Sequence, residues 1–229
     1  MFPATIFDYN GVLVDDEVVH LEAFRDVLGP LGITVSEQDY WERYLGFDDA
    51  GAFRAIFADR GRTATDEQVR SLIEAKRPRY LERARGTLRG FAGASALVRR
   101  RAEAGPVAIV SGALRDEIAL GLSVLGVTAN VMAIVSAEDT KHSKPHPEGY
   151  LLGIDALAGS LGPRAAQAVV IEDSVAGVEA AKSAKLACVA VTHSYPREEL
   201  QKVGADLIVD DLDAITDSAL AALAARIGI

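Results

Sequence analysis

Asp8 ends the apolar run Thr5-Ile6-Phe7 and is followed by Tyr9-Asn10-Gly11, so a carboxylate emerges where a short strand gives way to a loop. Such an acid can attack an electrophile, hold a cation or simply shape a turn. Ser111 follows Val107-Ala108-Ile109-Val110 and precedes Gly112, with a helical pattern close behind. A hydroxyl and free backbone amides near a helix start suit a phosphate oxygen, and serve equally as a plain N-cap. Lys144 lies within Ser143-Lys144-Pro145-His146-Pro147. Prolines on its carboxyl side stiffen the loop and can aim the ammonium inward, although Lys-Pro also marks ordinary surface turns. Glu172 and Asp173 close the run Ala168 to Ile171, and Ser174 starts the next helical stretch. Adjacent acids there can hold a hard cation or cap the helix.

The positioning elements follow from hydrophobic patterning. Short β-branched runs recur at Ala4 to Phe7, Val107 to Val110, Val131 to Val135, Ala168 to Ile171, Ala187 to Val191 and Asp206 to Val209. Their continuous rather than alternating hydrophobicity predicts strands covered on both faces, as in a parallel sheet. Helical stretches between them, such as Ala94 to Ala104, Arg115 to Leu125 and Val175 to Ser183, give the alternation of a doubly wound, Rossmann-like α/β core. That architecture places functional residues at the carboxyl ends of strands, where all four stretches fall.

From Asp15 to Arg85 the pattern is helical only, as in Val18, Leu21, Phe24, Val27, Leu28 and Leu31. This predicts an all-helical cap at 15–85, inserted into a core made of 1–14 and 86–229 and re-entered through Gly86-Thr87-Leu88-Arg89-Gly90. Arg99-Arg100-Arg101 lies in a helical pattern and reads as a solvated face.

A chain of 229 residues with 49% hydrophobic and 25% charged residues has ample material for a globular core. Its formal charge of −9 opposes nucleic acid and anionic membranes, leaving a small molecule as the expected partner. Cys188, the single cysteine, sits in a strand-like run and is expected to be a core thiol in a reducing, cytoplasmic setting. The chain start lacks a basic n-region, and no apolar run reaches the roughly 18 residues that span a bilayer, so neither a targeting nor a membrane segment is expected. Gly-x-Gly-x-x-Gly, Gly-x-x-x-x-Gly-Lys-Ser/Thr and His-Glu-x-x-His are absent.

A carboxylate, a hydroxyl, an ammonium and an acidic pair, in that order and each at a different strand exit, resemble the four motifs of the haloacid dehalogenase-like superfamily. The likeness spans the chain, helical insertion included. It is greatest to the β-phosphoglucomutase and sugar-phosphatase group, through Gly11-Val12-Leu13-Val14-Asp15, His20, Lys144-Pro145-His146-Pro147 and Glu172-Asp173-Ser174-Val175-Ala176-Gly177.

That resemblance implies Asp8 as nucleophile, forming an aspartyl-phosphate that water hydrolyses. It implies Mg²⁺ held by Asp8, the main-chain carbonyl of Asn10 and Asp173, with Glu172 in support, and a transferring phosphate met by Lys144, Ser111 and the amides near Gly112. His20 and Lys76 match cap residues of the group and are candidates for touching substrate. Asn10 departs from the pattern, because phosphatases of the family carry an acid/base Asp there. An amide cannot shuttle a proton, and that catalysis is worth about 10² to 10⁴-fold. The expectation is therefore a Mg²⁺-dependent phosphomonoesterase slowed at residue 10, with His20 as the candidate substitute acid/base. Its substrate would be a sugar phosphate or phosphoglycolate, and the protein a monomer or weak homodimer.

Two other readings stand beside it. A mutase must hold a second phosphate, and Gly46-Phe47-Asp48-Asp49 offers acids where a cation is needed unless Arg54 or Arg115 compensates. A binding module would keep the phosphate site without turnover, which Asn10 favours. Asn10 could be a natural variant, an engineered one, or a deamidating Asn-Gly pair.

Overall fold

The computed structural model describes all 229 residues. The first strand, β1 (Thr5–Phe7), is followed by a short β2 (Val14–Asp15). Helices α1 (Glu17–Leu28), α2 (Glu37–Asp39), α3 (Asp49–Ala58) and α4 (Asp66–Thr87) come next, before β3 (Arg89–Gly90). Then α5 (Ala94–Ala104), β4 (Val107–Val110), α6 (Arg115–Val124), β5 (Ala133–Val135), α7 (Glu148–Leu161), β6 (Val169–Glu172) and α8 (Val175–Ser183) alternate. The chain ends with β7 (Ala187–Val191), α9 (Arg197–Lys202), β8 (Leu207–Val209) and α10 (Asp217–Ile227).

Six parallel strands form one sheet in the order β5-β4-β1-β6-β7-β8. The expected doubly wound core is therefore present. The order grows leftward from β1 and then rightward, so the topological switch lies between β1 and β6, where such folds bind ligands. Successive residues of one strand feed opposite cores. Phe7, Ile109, Ile171 and Val189 pack on one face of the sheet, and Ile6, Ala108, Val170 and Cys188 on the other. Burial on both faces is why these strands read as unbroken apolar runs. The thiol of Cys188 is buried, as expected.

The helices from α1 to α4 have a core of their own, built on Leu21, Phe24, Leu28, Phe53, Ile56 and Phe57. Val18 and Leu31, counted in the amphipathic pattern, are exposed, and the inward stripe of α1 runs instead through His20, Leu21, Ala23, Phe24 and Leu28. Helix α4 begins with a capping box in which the Thr65 and Gln68 side chains each accept the other's backbone N–H. It continues through Gly86 to Thr87, past the expected re-entry point. The chain leaves and rejoins the core through an antiparallel two-stranded ribbon in which Val14 faces Gly90 and Asp15 faces Arg89. Two-residue strands carry no periodicity, so this ribbon was invisible in the sequence.

Arg101 corrects the reading of the arginine run. Arg99 is exposed, but Arg101 falls on the inward stripe of α5 with Ala94, Leu97 and Val98, and is 1% exposed. Its guanidinium donates to Thr5 Oγ1 at 2.9 Å and to the Phe2 carbonyl at 3.2 Å. A long apolar stem with partners at its tip allows an arginine to occupy a core position.

Candidate active site

Asp8 continues β1 by one residue, since its N–H donates to the Ile171 carbonyl at 2.9 Å. The carboxyl group thus stands at the carboxyl end of the central strands, beside the residues that leave β6. Lys144 binds both neighbours, donating to Asp8 Oδ1 at 2.7 Å and Glu172 Oε1 at 2.6 Å. Burial opposes the ammonium charge, but the two carboxylates outweigh it and raise the lysine pKa. Burial pushes Asp8 up to about 6 despite the pull of Lys144. Glu172 is likewise opposed by burial, but Lys144 and its hydrogen bonds hold it below the ordinary range.

Every remaining contact of Glu172 is structural. Tyr150 donates to Oε1 at 2.8 Å, while the Asp173 and Ser174 amides donate to Oε2 at 2.9 and 3.0 Å. The carboxylate lies so close beneath α8 that a Cβ on Gly177 would fall 1.6 Å from Oε1. Gly177→Ala should therefore cost about 1 to 3 kcal/mol through overpacking, read as a lowered denaturation midpoint.

Asp173 differs in kind. Burial first, then the charges of Glu172 and Asp8, raise its carboxyl well above the usual range. Ser194, just beyond β7, donates to Asp173 Oδ2. Asp8, Glu172 and Asp173 offer oxygens all within 4.8 Å of one another. Three buried carboxyls against one ammonium leave an excess of negative charge, and an oxygen-only donor set suits a hard cation such as Mg²⁺. Gly11 makes room for that acid cluster: its φ is +71°, and a Cβ there would lie 2.0 Å from Asp173 Oδ2.

Ser111 follows β4, donating through Oγ to Asn10 Oδ1 at 3.2 Å and accepting from the Ala113 N–H. Gly112 comes next, and a Cβ on it would approach that of Asp48 to 3.1 Å, so the helical insertion presses on this loop. Asp48 also accepts from Ser143 Oγ at 2.5 Å, and Tyr195 donates to the Leu45 carbonyl at 3.1 Å. The insertion thus closes one cleft lined by Asp8, Asn10, Ser111, Gly112, Lys144 and Asp173, with His20 alongside.

Asn10 donates through Nδ2 to Asp16 Oδ2 at 2.8 Å. His20 Nε2 lies 3.2 Å from the same oxygen and 3.3 Å from Asn10 Nδ2. Lys76 Nζ lies 2.8 Å from His20 Nδ1. An ammonium can only donate, so Nδ1 accepts, and the proton of the neutral ring sits on Nε2, directed at Asp16. Both ring nitrogens are therefore engaged, which limits His20 as a substitute base while this network is closed. Lys76 is fully buried and does not line the cleft; its ammonium also donates to Asp49 Oδ1 at 2.6 Å and sits 4.6 Å above the Phe24 ring.

Sequence reasoning missed Ser194, Tyr150 and Asp16. Ser194 had a usable signal, since it follows a strand as Asp8 and Ser111 do. Tyr150 and Asp16 act through tertiary packing that no local pattern reports.

Residues 5–191 match the family model described as haloacid dehalogenase-like hydrolase. The chain is 28% identical to hexitol phosphatase B of Escherichia coli strain K12 over 219 residues, covering 93% of this chain and 94% of that protein. It is 31% identical over 218 residues to the chloroplastic protein SUPPRESSOR OF QUENCHING 1 of Arabidopsis thaliana; 93% of this chain is covered but only 20% of that protein. The crystal structure of β-phosphoglucomutase from Clostridium difficile superposes with a TM-score of 0.83 at 23% identity, covering 99% of each chain. With a family match running across most of its length, the chain belongs to the haloacid dehalogenase-like hydrolases.

Proposed function

We propose that this protein is a Mg²⁺-dependent phosphomonoesterase of a small phosphorylated metabolite, working through an aspartyl-phosphate on Asp8 and slowed by Asn10. The observation that carries this reading is Lys144, which ties Asp8 to Glu172 beside Asp173 at the topological switch of the sheet. Asp8 attacks phosphorus, the ester P–O bond breaks, and the leaving oxygen takes up a proton. Water then attacks the phosphorus of the acyl phosphate, which restores the carboxylate and releases inorganic phosphate. Lys144, Ser111 and the amides at Gly112 bind the transferring oxygens, a task in which electrostatics carries most of the catalysis. Mg²⁺, held by Asp8, the Asn10 carbonyl and Asp173, supplies charge neutralisation when bound. Residues 15–85 act as the cap over a core of 1–14 and 86–229, excluding bulk water on closure. A cytoplasmic setting agrees with the buried lone thiol, and no helix is long and apolar enough to cross a membrane.

The pairing of the arginines favours a phosphatase over a mutase. Arg54 is bound to Asp66 and Arg115 to Asp139, and neither lines the cleft, so no guanidinium waits there for a second phosphate. The test is phosphate release from a panel of hexose, pentose and short-chain acid phosphates, with and without Mg²⁺, after the mass of residue 10 has been confirmed. Release that a chelator abolishes is expected, stronger in the Asn10→Asp form. Saturable binding with no release from either form would instead assign a binding role.

A further inference from the structure

Beyond the phosphate corner, the cleft is acidic. Glu17, Asp48, Asp49 and Glu117 line it, no arginine does, and its single ammonium, Lys144, already bridges Asp8 and Glu172. Asp48 has both oxygens engaged, accepting from the Gly51 N–H and from Ser143, and the half-buried Glu17 accepts from Tyr40 at 2.6 Å through Oε2. The other two are left incomplete. Glu117, at the start of α6, is 1% exposed; its Oε2 accepts from the Leu114 N–H, while Oε1 is buried with no partner. Asp49 gives Oδ1 to Lys76, and its Oδ2 is buried with no partner. Both acids line the same cleft, and burial raises Glu117 to about 7 against the influence of Lys76 and His20.

A buried carboxylate oxygen without a donor is costly to leave unmade, so two of them in one cleft mark a place for a ligand's hydrogen atoms. The sources of donors within the chain are already occupied, since Lys76 is held by Asp49, His20 and the Phe24 ring. We infer that the alcohol half of the substrate carries an ammonium group that binds Asp49 Oδ2 and Glu117 Oε1, making the substrate an amino-sugar or amino-polyol phosphate. An ammonium offers several donors and offsets the excess negative charge, whereas a hydroxyl donates one hydrogen and leaves the charge in place. A carboxylate-bearing ester such as phosphoglycolate meets like charge at this point. The inference rests on the phosphomonoesterase reading for the orientation of the ester, with phosphate at Lys144 and alcohol toward α6.

Affinity tests it apart from turnover. The intact Asn10-bearing chain is titrated with glucosamine 6-phosphate, N-acetylglucosamine 6-phosphate, glucose 6-phosphate and phosphoglycolate in the presence of Mg²⁺, by calorimetry. Glucosamine 6-phosphate should bind about tenfold or more tightly than the glucose and N-acetyl esters, the order expected of a charge-assisted hydrogen bond, with phosphoglycolate weakest. Glu117→Gln and Asp49→Asn should each reduce the ratio between the amine and glucose esters, which a general loss of packing would not do. Equal affinities, a preference for phosphoglycolate, a ratio unmoved in both variants, or binding of none of the four overturns the inference. Phosphate release without amine preference would leave the phosphatase standing and remove only the amine site.

Discussion

Asp8→Asn should lower phosphate release by on the order of 10⁴ to 10⁶-fold, as the loss of a nucleophile does in other covalent enzymes. The same substitution should raise the melting temperature in Mg²⁺-free buffer at neutral pH. Burial lifts the Asp8 pKa to about 6, so the folded chain binds its proton more tightly than the unfolded chain does. Stability from this group is therefore lost as pH rises from the ordinary carboxyl value through about 6, and at neutral pH ionised Asp8 works against folding. An amide of the same shape cannot ionise. Steady-state release and a thermal melt at two pH values check both halves. Retained turnover would exclude Asp8 as nucleophile, and a lower melting temperature would show that the bond to Lys144 outweighs the burial of charge.

Asn10→Asp should raise turnover by about 10² to 10⁴-fold. The reason lies in what the amide touches. Asn10 Nδ2 is 2.8 Å from Asp16 Oδ2, and Tyr80 donates to that same oxygen at 2.5 Å. A carboxyl group placed there faces buried Asp16 at hydrogen-bond distance, and two such acids share a proton rather than both ionise. The new Asp would therefore keep a proton near neutral pH, ready for the leaving oxygen, and could then take one from the attacking water. Rapid-quench measurement should find phosphoenzyme accumulating in the Asn10 form and vanishing in the Asp form. Equal rates in both would show that the proton travels by another route, and His20 would then have to leave Lys76 to carry it.

Strand exits were the most legible part of the molecule. Asp8, Ser111 and Asp173 were found because unbroken apolar runs announce strands buried on both faces, and chemistry in a doubly wound sheet gathers where those runs stop. The helical insertion was legible as a class, but its detail was not. Periodicity located α1 and misplaced its inward face at Val18 and Leu31, because only the position of neighbouring helices decides which edge of a stripe is covered. Lys76, a candidate for touching substrate, does not itself line the cleft; its ammonium is spent behind the wall on His20, Asp49 and the Phe24 ring, which do. The arginine run failed for a similar reason: Thr5 and Phe2, almost a hundred positions away, supply the acceptors that let Arg101 turn inward. Charge in a sequence reports a preference for water, and distant partners can override it.

The ribbon that joins Val14-Asp15 to Arg89-Gly90 makes the insertion a cassette. Both passages between the two parts of the chain lie side by side, so the cut ends of an excised helical segment are about 5 Å apart, the spacing of paired strands. The sheet and its strand exits are uninterrupted by that excision. A helical segment from another chain could be grafted at these two points without altering any separation among Asp8, Lys144 and Asp173. The graft would need to match the positions where the insertion enters the main core, Ala23, Tyr80 and Ala84 among them, and its polar contacts with Asn10, Ser143 and Tyr195. Such a graft would exchange Asp49 and keep Glu117, so it separates the insertion's share of the cleft from the share that α6 contributes.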